Sequence, residues 1–383
     1  MDFSFTPEQR LLRDSVRELM KRQASPEYLR QLERDQKFPY DLYDAWVEMG
    51  LVRLPFPEEY GGLGGTVSDV MVVTEEISKV STDLVMSYGD AIFCGLNLAR
   101  NGSEEQKRYW IPKLLDGEIK LAICMSEPDA GSDVGAMRTA AVRQGNSWLI
   151  NGQKLWTSGG GLKNTVLCVY AKTNPAVHYR DGVSLFLIPN DTPGVEFRKL
   201  EMLGRRCFGT YEIFFKDVKI PEDQLIGGEN HGWQCMLSGL DVERLVDAAM
   251  SIGGAQAIVD LALEYSKERV QFGRPIGTFQ AIAHMIADMQ TEVEAGRALM
   301  WRAAAMMANK ENALKEINMA KLYASELYAK VANMGVQIMG AYGLSAESEM
   351  QRFFRDSRSA TIQAGTSQTQ RNLIAGLMGL KCR

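Results

Sequence analysis

The sequence predicts an α+β multidomain protein: an N-terminal helical domain over 1–118, a middle β-barrel or sandwich domain over 119–230, and a C-terminal helical bundle over 231–383. Three observations predict it. Apolar residues recur at helical spacing up to about residue 117, give way to short β-rich runs from about 119 to 228, and return at spacings of three and four from about 233. A chain of 383 residues has the length for two or three domains with real cores.

The first helix announces itself in Thr6-Pro7-Glu8-Gln9. Threonine caps, proline takes the first helical position and Gln9 completes a capping box. Leu11, Leu12, Val16, Leu19 and Met20 follow at helical spacing. Further helices are broken by EEYGGLGG (58–65), read as a flexible turn, and by NGSEEQKRYW (101–110), where Ser103 caps a new helix. The middle zone holds LAICMSEP, SWLINGQKLWTS, TVLCVYAKT, VSLFLIPN and TYEIFFKDVKIP, with Asn151-Gly152 as its strongest hairpin signal. The last zone is rich in alanine, leucine and methionine, as in AHMIADMQTEVEAGRALMWRAAAMM (283–307), and predicts packed helices with methionine as core filler.

Composition narrows the function. The chain is 45% hydrophobic and 24% charged, ordinary for a globular protein, and its net charge of −5 argues against nucleic acid as a partner. Six cysteines (94, 124, 168, 207, 235 and 382) contain no CxxC pair, which suits reduced thiols in a cytoplasm-like compartment. His178, His231 and His284 lack ligand spacing, so no metal site is expected. The start, MDFSFTPEQ, does not read as a signal peptide, and no apolar run reads as a membrane span. The phosphate loop GxxxxGK[ST], a GxGxxG after a strand and the GxSxG elbow are all absent.

Three stretches are candidates for ligand loops. SEPDAGSD (126–133) and WTSGGG (156–161) end predicted strands with hydroxyls, acids, glycines and an indole. Each reads either as a capped turn or as a loop holding a flat heteroaromatic ligand, the indole stacking on it and the polar groups bonding its edge. The third, TIQAGTSQTQR (361–371), gathers small, hydroxyl and amide side chains around one glycine, with no acid, base or thiol before its arginine.

Taken together, the zone order, SEPDAGSD, KLWTSGG, RVQFGRPIGTFQ (269–280), QIMGAYGL (337–344) and AGTSQTQR resemble the acyl-CoA dehydrogenase family over essentially the whole chain. The resemblance implies that family's fold, FAD, an acyl-CoA thioester substrate in fatty-acid metabolism, an electron-transfer flavoprotein as acceptor, and a homotetramer. It implies that Ser126 bonds the flavin edge, that Trp156 lies beside the ring and Ser158 near its N5, and that Ser132 lies near the coenzyme A chain. Arg269, Gln271, Phe272 and Gln280 match a segment reaching the FAD of a neighbouring subunit, where arginine suits the pyrophosphate. Gln337 and Gly340 match the adenine side, with Ala341 in place of a usual second glycine. Thr366 and Gln368 match the last cofactor contacts.

Many family members carry a glutamate base where this chain has Ala364. A minority, including isovaleryl-CoA and crotonobetainyl-CoA dehydrogenases, place it on the helix matching GLDVERLV (239–246). The resemblance therefore assigns the base to Glu243 and substrate orientation to Arg244; SYG (87–89) and NLARNG (97–102) also sit closest to the isovaleryl pattern. The alternative for Glu243 is an exposed helix glutamate paired to a cation. Ala364 keeps a role through its backbone N–H, which with a flavin ribityl hydroxyl bonds the thioester oxygen in the family. A glutamate enclosed beside the flavin should titrate near about 6–7. Asp90 falls near the family's acyl cavity. It either recognises a polar or cationic acyl group, takes a more remote proton from an alicyclic or unsaturated chain, or is a solvated turn or capping residue.

The expected activity is formation of a 2,3-enoyl-CoA from a short, branched or alicyclic acyl-CoA. Two alternatives keep the fold: an enoyl-CoA reductase of crotonobetainyl-CoA type, or an acyl-CoA oxidase. A third is a binding paralogue without turnover, which the acidic charge and Glu243 oppose.

Overall fold

The computed structural model describes residues 5–380; Cys382 and the first four residues lie outside them. Six helices come first: α1 (Pro7–Gln23), α2 (Pro26–Asp35), α3 (Tyr40–Glu48), α4 (Val67–Val80), α5 (Thr82–Asn101) and α6 (Glu104–Leu115). Thr6 Oγ1 accepts from Gln9 N at 3.2 Å while Gln9 Oε1 accepts from Thr6 N at 3.3 Å, so the capping box forms as predicted. Ser103 and Gln106 repeat it at the start of α6. The glycines at 61–65 form a turn that is pinned rather than flexible. Leu63 N, Gly64 N and Gly65 N donate to the carbonyls of Arg53, Phe56 and Leu54 at 2.7 to 3.0 Å.

The middle of the chain is one eight-stranded sheet: β1 (Lys120–Cys124), β2 (Ala140–Gln144), β3 (Ser147–Ser158), β4 (Thr165–Lys172), β5 (Val183–Pro189), β6 (Val195–Leu200), β7 (Thr210–Pro221) and β8 (Leu225–Ile226). Its order is β6-β7-β3-β2-β4-β5-β8, with β1 added parallel to β4. The sheet curls around its own core, because Trp148 on β3 meets Phe186 on β5 at 5.3 Å although two strands separate them.

Asn151-Gly152 is not the hairpin turn. The chain reverses at Gly145-Asn146, where Gly145 takes φ +60°, and β3 runs straight through 151–152 against both β2 and β7. Gly152 instead occupies a β-bulge, the register against β7 shifting between Ile150 and Gly152. A Cβ there would stand 2.4 Å from Thr139 Oγ1. Asn151 locks the bulge, donating to Asp217 Oδ1 at 3.1 Å and accepting from Asp217 N at 2.8 Å.

The chain then returns to helix: α7 (Gly232–Glu268), α8 (Gln280–Ala308), α9 (Leu314–Met339), α10 (Ala341–Leu344), α11 (Glu349–Ala360) and α12 (Ser367–Leu377). A short hairpin unforeseen in the sequence, β9 (Val270–Gln271) with β10 (Arg274–Pro275), separates α7 from α8. By length and composition α7 alone among the described helices could cross a bilayer, contrary to the sequence reading, yet it is mostly buried inside the protein. It is the central helix, and its neighbours α4, α5, α8 and α9 bury their apolar faces on it.

Candidate active site

Glu243 sits near the start of α7, where α5 crosses it at close range. Glycines permit the approach on both sides: a Cβ on Gly239 would stand 3.1 Å from Asn97 Nδ2, and one on Gly89 would stand 3.1 Å from Val246 Cγ1. Between them, the Glu243 side chain enters a narrow apolar cavity walled by Phe93, Cys94 and Leu98 of α5, Ile123 of β1, Cys168 and Tyr170 of β4, Leu185 and Leu187 of β5, and Met236 and Leu240 of α7. Glu243 is half-buried, and its carboxyl is pushed up to about 7 by burial, Arg244 opposing and Asp247 adding to the shift. It is not an exposed glutamate paired to a cation: no hydrogen bond or salt bridge joins it to any described residue.

Asp90 lies on the same stripe of α5 as Cys94 and Asn97, at spacings of four and seven residues. It is 2% exposed, neither carboxylate oxygen has a hydrogen-bond partner among the described residues, and burial then the nearby Glu243 hold its pKa well above the usual carboxylate range. This excludes the solvated turn or cap. Asn97 donates to the Tyr170 hydroxyl at 3.2 Å and accepts from Asn101 at 2.7 Å, giving the cavity one polar corner. Tyr170 and Cys168 escaped the sequence reading because they look like any buried strand residue.

The late turn, 361–365, joins α11 to α12 beside the same helix. Ala364 takes φ +50°, unusual for a residue with a Cβ. Its carbonyl accepts from Gln370 Nε2 at 3.0 Å and from Arg244 Nε at 3.4 Å. Among the described residues the N–H groups of Ala364 and Gly365 have no acceptor. Arg244 is itself buried, 3.8 Å from Asp241, and tethers α7 to this turn. Thr366 caps α12 by accepting from Thr369 N at 3.1 Å, and Gln368 stays exposed one step into that helix.

At the sheet's edge the two candidate loops are neighbours, Leu155 N donating to Ser126 O at 2.9 Å. Trp156 holds φ +65° at a second bulge in β3, leaving its indole 56% exposed. An exposed indole held on strained backbone, with half-buried Ser126 and Ser158 close by in the chain or across the loop, fits a flat heteroaromatic ring. Ser132 is exposed further along the loop. A buried ion pair secures the arrangement. Lys154 donates to Glu127 at 2.8 Å and to the Met125 carbonyl at 3.0 Å, while Glu127 accepts from Thr139 N at 3.0 Å. The opposite charges in SEPD and QKLW were the available signal for it.

Arg269, Gln271, Phe272 and Gly340 line a separate surface hollow with Tyr342 and Phe279, sharing no residue with the Glu243 cavity. Gln280 and Gln337 are exposed at the start of α8 and the end of α9, outside that lining. Within one chain the candidate positions thus fall into distinct groups. No cluster of metal-ligating side chains occurs among the described residues.

Comparison with known proteins covers the full architecture. Residues 6–118, 122–218 and 230–378 match the N-terminal, middle and C-terminal domains of acyl-CoA dehydrogenase. The caffeyl-CoA reductase–Etf complex subunit CarC of Acetobacterium woodii is 37% identical over 98% of this chain and 99% of its own. The glutaryl-CoA dehydrogenase of Desulfococcus multivorans is 38% identical over 98% and 97%. A solved glutaryl-coenzyme A dehydrogenase–glutaryl-CoA complex superposes with a TM-score of 0.95 at 36% identity, covering 100% of this chain and 98% of that one.

Proposed function

The chain belongs to the acyl-CoA dehydrogenase family of FAD-dependent flavoproteins, and from that premise we propose that it forms a 2,3-enoyl-CoA with Glu243 as the base, in the isovaleryl-type arrangement. The observation that carries this is an unpaired Glu243 carboxyl, titrating near neutrality, inside an apolar cavity, with the next residue, Arg244, bonded to the turn that leaves the Ala364 N–H free. Glu243 takes the α-proton. The Ala364 N–H bonds the thioester oxygen as charge develops there, a contribution of roughly 3 kcal/mol for one such donor. Bound FAD supplies the acceptor for the β-hydride. Ser126, Trp156 and Ser158 would hold its ring, with Thr366 and Gln368 beside them, while Arg269, Gln271, Phe272, Gln280, Gln337 and Gly340 would serve its pyrophosphate and adenine from a second copy in a homotetramer. Ser132 would lie along the coenzyme A chain, and Arg244 acts through the late turn that it bonds.

The acyl group is short, branched or alicyclic. No residue lining the cavity is cationic, so a carboxylate-tipped chain such as glutaryl would meet no counter-charge. Asp90, buried, unpartnered and with its pKa held above the usual carboxylate range by that burial, suits a polar acyl group or a more remote proton of an alicyclic or unsaturated one. The five described cysteines are free and buried, which favours a reducing, cytoplasmic setting. A second reading runs the chemistry backwards as an enoyl-CoA reductase, favoured by the printed name of the Acetobacterium relative, which also supports an electron-transfer flavoprotein as partner. Anaerobic titration of the yellow protein with an acyl-CoA panel tests the proposal. Bleaching by one class of saturated ester supports it; reoxidation by enoyl-CoA with no bleaching by any saturated ester supports the reductase instead.

A further inference from the structure

Beneath the late turn lies a buried cation that none of the steps above employs. Lys321 of α9 is fully buried, and its ammonium donates to the carbonyls of Ala360 and Gly365, each at 2.9 Å. It also stands 3.6 Å from Asp247 Oδ2 on α7. Of the ammonium's donors, two bond these carbonyls, while the Asp247 carboxylate faces it as an ion pair. The other Asp247 oxygen accepts from the Gln363 side-chain amide, whose oxygen in turn accepts from Arg205. With Gln370 and Arg244 on the Ala364 carbonyl, the carbonyls of 360, 364 and 365 are all bonded from within. The amides of Ala364 and Gly365 are left over. Nothing in the turn itself keeps Ala364 left-handed; surroundings that over-determine it do.

We propose that Lys321 is a positioning residue for the oxyanion donor: by holding the Ala360 and Gly365 carbonyls inward, it keeps the Ala364 N–H aimed at the thioester oxygen, opposite Glu243. This rests on the reading in which that N–H serves the thioester. The competing role for Lys321 is charge balance for Asp247 alone, and the two roles separate experimentally. Lys321→Met removes both functions. Lys321→Met/Asp247→Asn removes the donor while leaving no unpaired buried charge, and Asn keeps an acceptor for Gln363.

The probe is butyryl-CoA carrying carbon-13 at the thioester carbonyl, bound at saturation to protein of equal flavin content, with the carbonyl stretch read by infrared difference spectroscopy. Wild type is expected to lower the stretch relative to free butyryl-CoA. Both variants are expected to lose most of that shift and at least about tenfold in kcat, with KM changed by less than about threefold. The double variant alone is read if the single variant does not fold. A wild-type shift and rate in the double variant would assign Lys321 to charge balance and overturn the proposal while leaving Glu243 untouched. An unshifted carbonyl in wild type would overturn the oxyanion reading itself, and the proposal with it.

Discussion

A carboxyl that titrates near neutrality affects both rate and stability, with opposite consequences for pH. Glu243 must be ionised to accept a proton, so kcat/KM should rise with pH and level off above about 7. For stability the sign is reversed. Its folded pKa lies above its unfolded one, so the folded protein is penalised as pH rises from about 4.5 through 7. Glu243→Gln should therefore bind FAD and be more stable than wild type at pH 8, by on the order of 2 kcal/mol, yet level with it near pH 4. Equal melting at both pH values would mean that the carboxyl is not held neutral by burial. Asp90, one turn before the cavity residue Cys94 on α5, tests whether the acyl chain reaches that far along the helix. Asp90→Ala should change the order of preference across an acyl-CoA panel, and an unchanged order would reduce Asp90 to a structural group.

Elements were legible in the sequence where local chemistry decides them. The capping boxes at Thr6 and Ser103 and the switch from helix to strand and back all follow from short-range signals. Asn151-Gly152 misled because two causes leave the same glycine in a strand: a reversal of the chain, or crowding by a neighbour. Thr139 supplies the crowding at Gly152, whereas at Gly145 only the positive φ demands glycine. Gly145→Ala should therefore cost about 1 kcal/mol and Gly152→Ala about 2–3 kcal/mol or more, read as a larger fall in melting temperature. Equal falls would contradict the bulge. Lys321, Asp247 and Gln363 were invisible for another reason. They come from three separate stretches, and only packing of α7, α9 and the late turn brings them within bonding distance.

At the scale of the whole molecule, helices give way to strands after α6 and return at α7, and the second helical region leaves an apolar face exposed. Phe272 is 94% exposed at the tip of the β9–β10 hairpin, with Val270, Tyr342 and Leu344 more than half exposed nearby. So large an exposed ring suits the association surface that the proposed homotetramer requires. Phe272→Asp should lower both the sedimenting mass and the FAD content of purified protein; a variant keeping both would place the assembly elsewhere. The central claim, that a helix-borne glutamate removes the α-proton, is tested most directly by isotope exchange. Incubated anaerobically in deuterated water with the acyl-CoA that bleaches the flavin, wild type should wash deuterium into the α-position, and Glu243→Gln, with equal flavin, should lose at least about a hundredfold of that rate. Exchange by Glu243→Gln at the wild-type rate would contradict the account.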